Sequence, residues 1–276
     1  MKNFKHKNIW GLVICLLVFS TGFFIHGNAG LYFNLAGFLI VIGGTFGAAL
    51  VGYRLERLLV VAKVVHASYR TKPKAPREIV EILVDLAVKS KVEGLLSLER
   101  EEQEASMLFL REALGVLVDG YKAEEIRNYL SAEMNFFRLR RESLEQILRN
   151  IGDFFPAFGL VGSVVGLIGM LAGVGDTSVI LATVPIALTS TLYGILLANF
   201  FISPFAANLR ERTNQELLLQ KIIMEGVIAI ESEVHPNLLE RKLKSFLTPS
   251  ARIGKLVSLQ KIRERFHIKP SPVSNV

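Results

Sequence analysis

The segment Gly152 to Pro204, GDFFPAFGLVGSVVGLIGMLAGVGDTSVILATVPIALTSTLYGILLANFFISP, contains no Lys or Arg. Its only acids are Asp153 at its start and Asp176 near its middle. A hydrocarbon layer about 30 Å thick is crossed by roughly 20 apolar helical residues. The segment therefore predicts two crossings, joined by a turn at GVGDT, Gly173 to Thr177. Small residues recur along the first crossing (Ala157, Gly159, Gly162, Ser163, Gly166, Gly169, Ala172). Gly159 with Ser163, and Gly162 with Gly166, are small-xxx-small pairs, which let helix backbones approach closely in lipid. The second crossing carries Thr183, Thr189, Ser190, Thr191 and Tyr193, a density of hydroxyls suited to lining an interior rather than facing lipid.

The N-terminal region predicts a second pair of crossings. Ile9 to Ile25 is long for a signal peptide and lacks a small-x-small cleavage site. Phe33 to Tyr53 follows after the loop HGNAGLY, and between Asn8 and Tyr53 the only ionisable basic or acidic side chain is His26. Trp10, Tyr32 and Tyr53 fall at predicted helix ends, where amphipathic rings favour the headgroup layer. Cys15 lies inside an apolar run, so no disulfide framework or thiol–metal cluster is expected.

Charge sets the orientation. The two short loops contain no Lys or Arg, so all 32 lie on the other side. By the positive-inside rule both termini and the long middle segment are cytoplasmic. The formal net charge of +7 is explained by this topology, and no nucleic-acid motif accompanies it.

The middle segment has helical periodicity. Arg54 to Arg70 is expected to continue the second crossing as an amphipathic helix, with Leu58, Val61, Val64 and Val65 on one side. Pro73 and Pro76 break it, and a helix restarts after Arg77 and pauses near Gly94. Asp119-Gly120 reads as a turn, and Ala132 to Ile151 as a helix leading into the third crossing. After Pro204 a charged helix runs to about Glu233, and HPNLLERKLKSFL predicts a short one. The tail from Pro249 is basic and is expected to be disordered, solvated or in contact with anionic headgroups.

The expected architecture is an all-α integral membrane protein. Residues 1–53 and 152–204 form two transmembrane hairpins, 54–151 a large helical cytoplasmic insert, 205–248 cytoplasmic helices and 249–276 a flexible tail.

Nothing in the sequence points to an enzyme. His6, His26, His66, His235 and His267 are scattered without Glu or Cys partners at ligand spacing, so no metal site is expected. Transport is the serious reading, and an ionisable residue deep in the membrane is its usual mark. None of the four predicted crossings has one at its centre. Hydroxyls offer coordinating oxygens but store no proton as charge at ordinary pH. A titrating carboxylate must then come from another chain. Pro156 and Pro204 lie at the cytoplasmic ends of the two legs of the hairpin, where kinks can pass movement onward or simply mark helix boundaries.

GDFFPAFGLVGSVVGLIGML and TSTLYGILLANFFISPFAANL resemble the third and fourth membrane helices of MotA-type flagellar stator subunits, in the MotA/TolQ/ExbB group. IVIGGTFGAALV, KVEGLLSLE, LVDGY and HPNLLERKLKSFL match further segments in order, over about residues 35 to 248. The resemblance implies a ring of five subunits around a dimeric MotB-type partner, which anchors to peptidoglycan and supplies an aspartate as ion carrier. Ion passage would turn the ring against the flagellar rotor's switch complex at the bacterial inner membrane. Carried over by position, Pro156 and Pro204 match the coupling prolines. Ser163 and Thr191, with Ser190 beside it, match hydroxyls near the ion path, and Lys91 and Glu99 match rotor-contacting charges. The transported ion is a proton, with sodium as the alternative, and no other cofactor is implied.

This sequence departs from the pattern at three places. Lys91 stands where Arg is common, which keeps the charge but loses the planar fork. Asn34-Leu35-Ala36-Gly37 replaces a Pro-Ser opening, and Pro185 has no counterpart. An ExbB- or TolQ-like energiser of outer-membrane uptake, and a scaffold without ion flux, are the alternatives. Ser163 as a packing residue and Lys91 with Glu99 as a solvated face also remain open, since exposed ion pairs contribute only about 0–1 kcal/mol.

Overall fold

The computed structural model describes residues 14, 17–19, 21–22, 32–70, 74–105 and 107–249. The predicted first crossing, with Trp10 and Cys15, lies outside the described residues apart from six positions. Pro73 and the tail beyond Pro249 also lie outside them. Among the described residues every regular element is helical.

In chain order these are α1 (Leu35–Gly52), α2 (Leu55–Arg70), α3 (Pro76–Glu93), a short 3-10 turn (Leu95–Leu98) and α4 (Glu99–Glu104). They are followed by α5 (Leu108–Val118), α6 (Ala123–Ala172), α7 (Thr177–Leu197), a π-helical turn (Ala198–Ile202), α8 (Ser203–Glu231) and α9 (Pro236–Lys244). Among the described residues three helical stretches are long and apolar enough to cross a membrane: α1, α6, and the run from Thr177 to Glu231. The chain divides into two compact units, Met1–Ala62 with Gln146–Ala206, and Lys63–Glu145 with Ala207–Val276.

The first unit holds α1, the apolar end of α6, α7 and the π turn. Asn34 caps α1 by accepting the Gly37 N–H at 2.8 Å. The expected continuation of this helix into the next does not occur. Tyr53 adopts an extended conformation (φ −138°, ψ 142°) with its N–H on Ala49 O, and its hydroxyl accepts a hydrogen bond from Asn150 on α6. A tertiary bond thus anchors the residue at the break. The expected helix from Ala132 instead begins at Ala123 and runs without interruption through Pro156 to Ala172. The α6–α7 turn forms where the sequence places it: Gly175 takes φ +105°, open to glycine without strain, and Asp176 caps α7.

The second unit packs around one apolar core. Helix α3 starts with Pro at its first turn and ends at Gly94, φ +85°. Between them Ile79, Leu83 and Leu86, with Val80, Val84 and Ala87, form one buried face. Leu98, Leu114, Ile126, Ile222, Ile223 and Leu239 complete the same core. Gly226 lets α8 close on α3: a Cβ there would stand 2.7 Å from Leu83 Cδ1. Burying such side chains stabilises by about 1.5–3 kcal/mol each.

Candidate functional site

The α6–α7 hairpin is assembled on glycine. Gly159, Gly162, Gly166 and Gly169, with Gly173 just past the helix end, alternate steps of three and four, so the first four share one face of α6. A Cβ at Gly166 would lie 2.6 Å from Ala187 N, and one at Gly169 2.9 Å from Thr183 Cγ2. At the other end Gly194 of α7 sits against Phe155 O, where a Cβ would approach to 2.6 Å. The stripe is longer than the two small-xxx-small pairs in the sequence indicate. Its full extent follows from which side of α6 meets α7.

Within this contact, Ser163 Oγ donates to Ala187 O at 2.6 Å and hydrogen-bonds the Thr191 hydroxyl. Because Ser163 commits its one proton to Ala187, Thr191 is the donor of the pair. Both hydroxyl protons are then used, while Thr191 Oγ1 and one lone pair of Ser163 remain able to accept. Both residues are half-buried. An arrangement of this kind presents oxygens to a cation rather than protons to an anion.

The structure brings Ser163 and Thr191 together but places Ser190 elsewhere. Ser190 is fully buried, and its hydroxyl donates back to Ile186 O at 2.6 Å. Gly37 of α1 makes room for it, since a Cβ on Gly37 would lie 2.7 Å from Ser190 Oγ. Adjacent residues on a helix point about 100° apart, so Thr191 meets Ser163, while the Ser190 side chain fills the space left by Gly37 of α1 and Gly162 of α6. Thr183 and Thr189 also bond carbonyls of their own helix, Val179 O and Pro185 O. Tyr193 accepts the Asn34 N–H at 2.7 Å and donates to Tyr32 O, clasping the start of α1.

Asp176 lies outside the spans. Its carboxylate accepts from the Ser178 hydroxyl at 2.6 Å and N–H at 2.9 Å, and these bonds hold it below the usual carboxylate range. It works as a helix cap.

Pro156 is inside α6 and Pro204 follows the π turn. The π turn closes with Ser203 N–H on Ala198 O. Its wider loop relieves the clash that a proline ring makes with the carbonyl four residues before it. Across from it, a Cβ on Gly152 would lie 3.3 Å from Ile202 Cγ2. Both prolines thus sit within helices that continue past them, and the irregular register lies just ahead of Pro204.

In the second unit, Lys91 ends α3 and Glu99 begins α4, on either side of the Gly94 bend. Both are exposed, as are Val92 and Leu96 between them. The neighbouring Lys89, by contrast, pairs with Glu101 at 2.9 Å and is largely buried. Farther along, Glu225 of α8 is bound by Arg127 at 2.9 Å and Lys242 at 2.7 Å. Arg210, Glu211 and Arg212 come between it and the apolar stretch. Burial opposes the charge on Glu225, but the hydrogen bonds and charges of Lys242 and Arg127 lower its carboxyl to about 2.

Residues 101–221 match the MotA/TolQ/ExbB proton channel family. The chain is 34% identical over 232 residues to Motility protein A of Treponema phagedenis, covering 84% of this chain and 90% of that one. It is 30% identical over 243 residues to Motility protein A of Borreliella burgdorferi, covering 88% and 93%. The chain belongs to the MotA/TolQ/ExbB proton channel family. The solved structure of C. jejuni MotAB superposes with a TM-score of 0.82 at 26% identity, over 92% of this chain and 98% of that one. The family match takes in Pro156, Ser163, Ser190, Thr191 and Pro204, whereas Lys91 and Glu99 precede it. The sequence features missed were Gly37 and Gly194. Gly194 stands alone in its helix, and Gly37 is six residues from the next glycine of α1, so no repeat marks either.

Proposed function

We propose that this chain is the ring-forming stator subunit of an ion-driven flagellar motor and forms its channel with a MotB-type partner. Four crossings place both termini, the 54–151 insert and the 205–248 helices in the cytoplasm, with the protein in the inner membrane. Five copies surround the partner's helices, and the partner supplies the ion-carrying Asp. Ser163 and Thr191 line the ion path, with Ser190 packing behind them. Pro156 and Pro204 transmit movement from it, and Lys91 and Glu99 meet the rotor. The proton is the coupling ion by default, with sodium as the tested alternative, and the basic tail lies near lipid headgroups.

The observation that carries this reading is the Ser163–Thr191 pair, whose free oxygens accept a cation in spans without an acid between their ends. Such a site completes a path only when a second chain brings the carboxylate. The test is to express the chain with the MotB-type protein of the same cell in a strain lacking stators. Restored rotation that stops when the ion gradient is collapsed supports the reading. Unchanged paralysis, with both proteins present in the membrane, removes it.

A further inference from the structure

The first unit contains a buried hydroxyl that the ion path does not use. Thr45 of α1 is 1% exposed, and its Oγ1 has no hydrogen-bond partner. A threonine in a helix ordinarily donates to the carbonyl of its own preceding turn, as Thr183, Thr189 and Thr213 do here. Leaving a buried hydroxyl unpaired disfavours the fold. Exposure of 1% within one chain also leaves no approach for a neighbouring subunit.

The surroundings of Thr45 give the anomaly a direction. Gly37, Val41, Thr45 and Ala49 form the buried face of α1. Val41, one turn before Thr45, packs on Phe155 and Ala198, with Ile151 and Ile202 beside them. Gly44, next to Thr45, is filled by the Phe158 ring. This face therefore meets the stretch of α6 that contains Pro156 and the π turn that precedes Pro204. Pro156 has no N–H, so Gly152 O lacks its helical donor, and Pro204 removes a second donor. Proline thus removes the regular helical donor from carbonyls in the same packed region as the unpaired hydroxyl.

We propose that the Thr45 hydroxyl is a reserve donor for the hinge. It is unpaired in the conformation described here and bonds a proline-freed carbonyl, Gly152 O first, in the alternate conformation of the working cycle. The unpaired hydroxyl raises the energy of one state and its bond lowers the other. This is how a packed element is biased between two arrangements. Thr45 is then a positioning residue acting through Pro156. The inference rests on the reading of the chain as a stator subunit.

The test compares Thr45→Val and Thr45→Ser in the full chain with its MotB-type partner, measuring melting of the purified complex and single-motor rotation speed. Thr45→Val keeps the shape and deletes an idle hydroxyl, so melting rises, whereas speed at high load falls about fivefold, the worth of one net hydrogen bond in a rate. Thr45→Ser restores the speed. A Thr45→Val complex at full speed overturns the proposal. One that melts lower or fails to accumulate does the same, because the hydroxyl is then satisfied at rest. So does slow rotation of Thr45→Ser, which assigns the effect to the methyl group. Failure of the unsubstituted pair to rotate a motor contradicts the stator reading instead.

Discussion

Thr191 donates a hydrogen bond to Ser163 across the α6–α7 contact, and Ser163 in turn donates to Ala187 O. The chain of bonds has one direction because each hydroxyl has a single proton. Its consequence is a pair of oxygens, held by two helices, with lone pairs to spare. The oxygens of such a site suit sodium and hydronium alike.

Thr191→Ala removes the donor and one oxygen but leaves Ser163 on Ala187. Rotation speed is expected to fall severalfold, while stability of the complex changes by only about 0.5–1.5 kcal/mol, the net contribution of one hydrogen bond. Speed measured against sodium concentration identifies the ion. A response in the unsubstituted motor that flattens in the variant indicates sodium, and a flat response in both indicates a proton.

Gly166→Ala and Gly194→Ala force a Cβ to 2.6 Å from backbone atoms, Ala187 N and Phe155 O. Backbone cannot rotate away as a side chain can, so each costs about 1–3 kcal/mol through overpacking. Gly43→Ala, with nothing within 4 Å of the new Cβ, is the control. Thermal melting of the detergent-solubilised complex is expected to drop for the first two and to hold or rise for the third.

Glu225 ties α8 to α6 and α9 through Arg127 and Lys242. Its carboxyl is lowered in the fold to about 2 from about 4.3 in an unfolded chain. A carboxyl lowered by folding contributes stability that is full above the unfolded value and is lost as pH falls towards the folded one. Glu225→Gln is therefore expected to melt lower at pH 7, and the gap to the unsubstituted protein closes between about pH 4.3 and pH 2. Melting curves across that range check it.

Lys91 and Glu99 are exposed on either side of a bend, so exchanging their charges leaves stability within about 0.5 kcal/mol. Swimming is nonetheless expected to fail in Lys91→Glu and Glu99→Lys. Recovery on reversing a charge on the rotor protein would locate the contact, and normal swimming of both variants would remove it.

Much of the hairpin was legible because its signals are local. The apolar run, Gly175 and the Asp176 cap define two helices and their turn without reference to the rest of the chain. Two features were not legible. The break falls at Tyr53, whose hydroxyl is held by Asn150, about a hundred residues away in sequence. The register change at Ala198–Ile202 is hinted at only by Pro204, which announces a disturbance but not whether the chain kinks or widens. That Thr191 and not Ser190 bonds Ser163 could not be seen either, since hydroxyl content does not say which side chain of α7 reaches it.

The most direct measurement is ion flux through vesicles containing this chain alone and, separately, the chain with its MotB-type partner, under an imposed proton or sodium gradient. The account predicts tight vesicles for the chain alone and passage only with a partner whose carboxylate is intact. Sustained gradient-driven flux through the chain alone would contradict it.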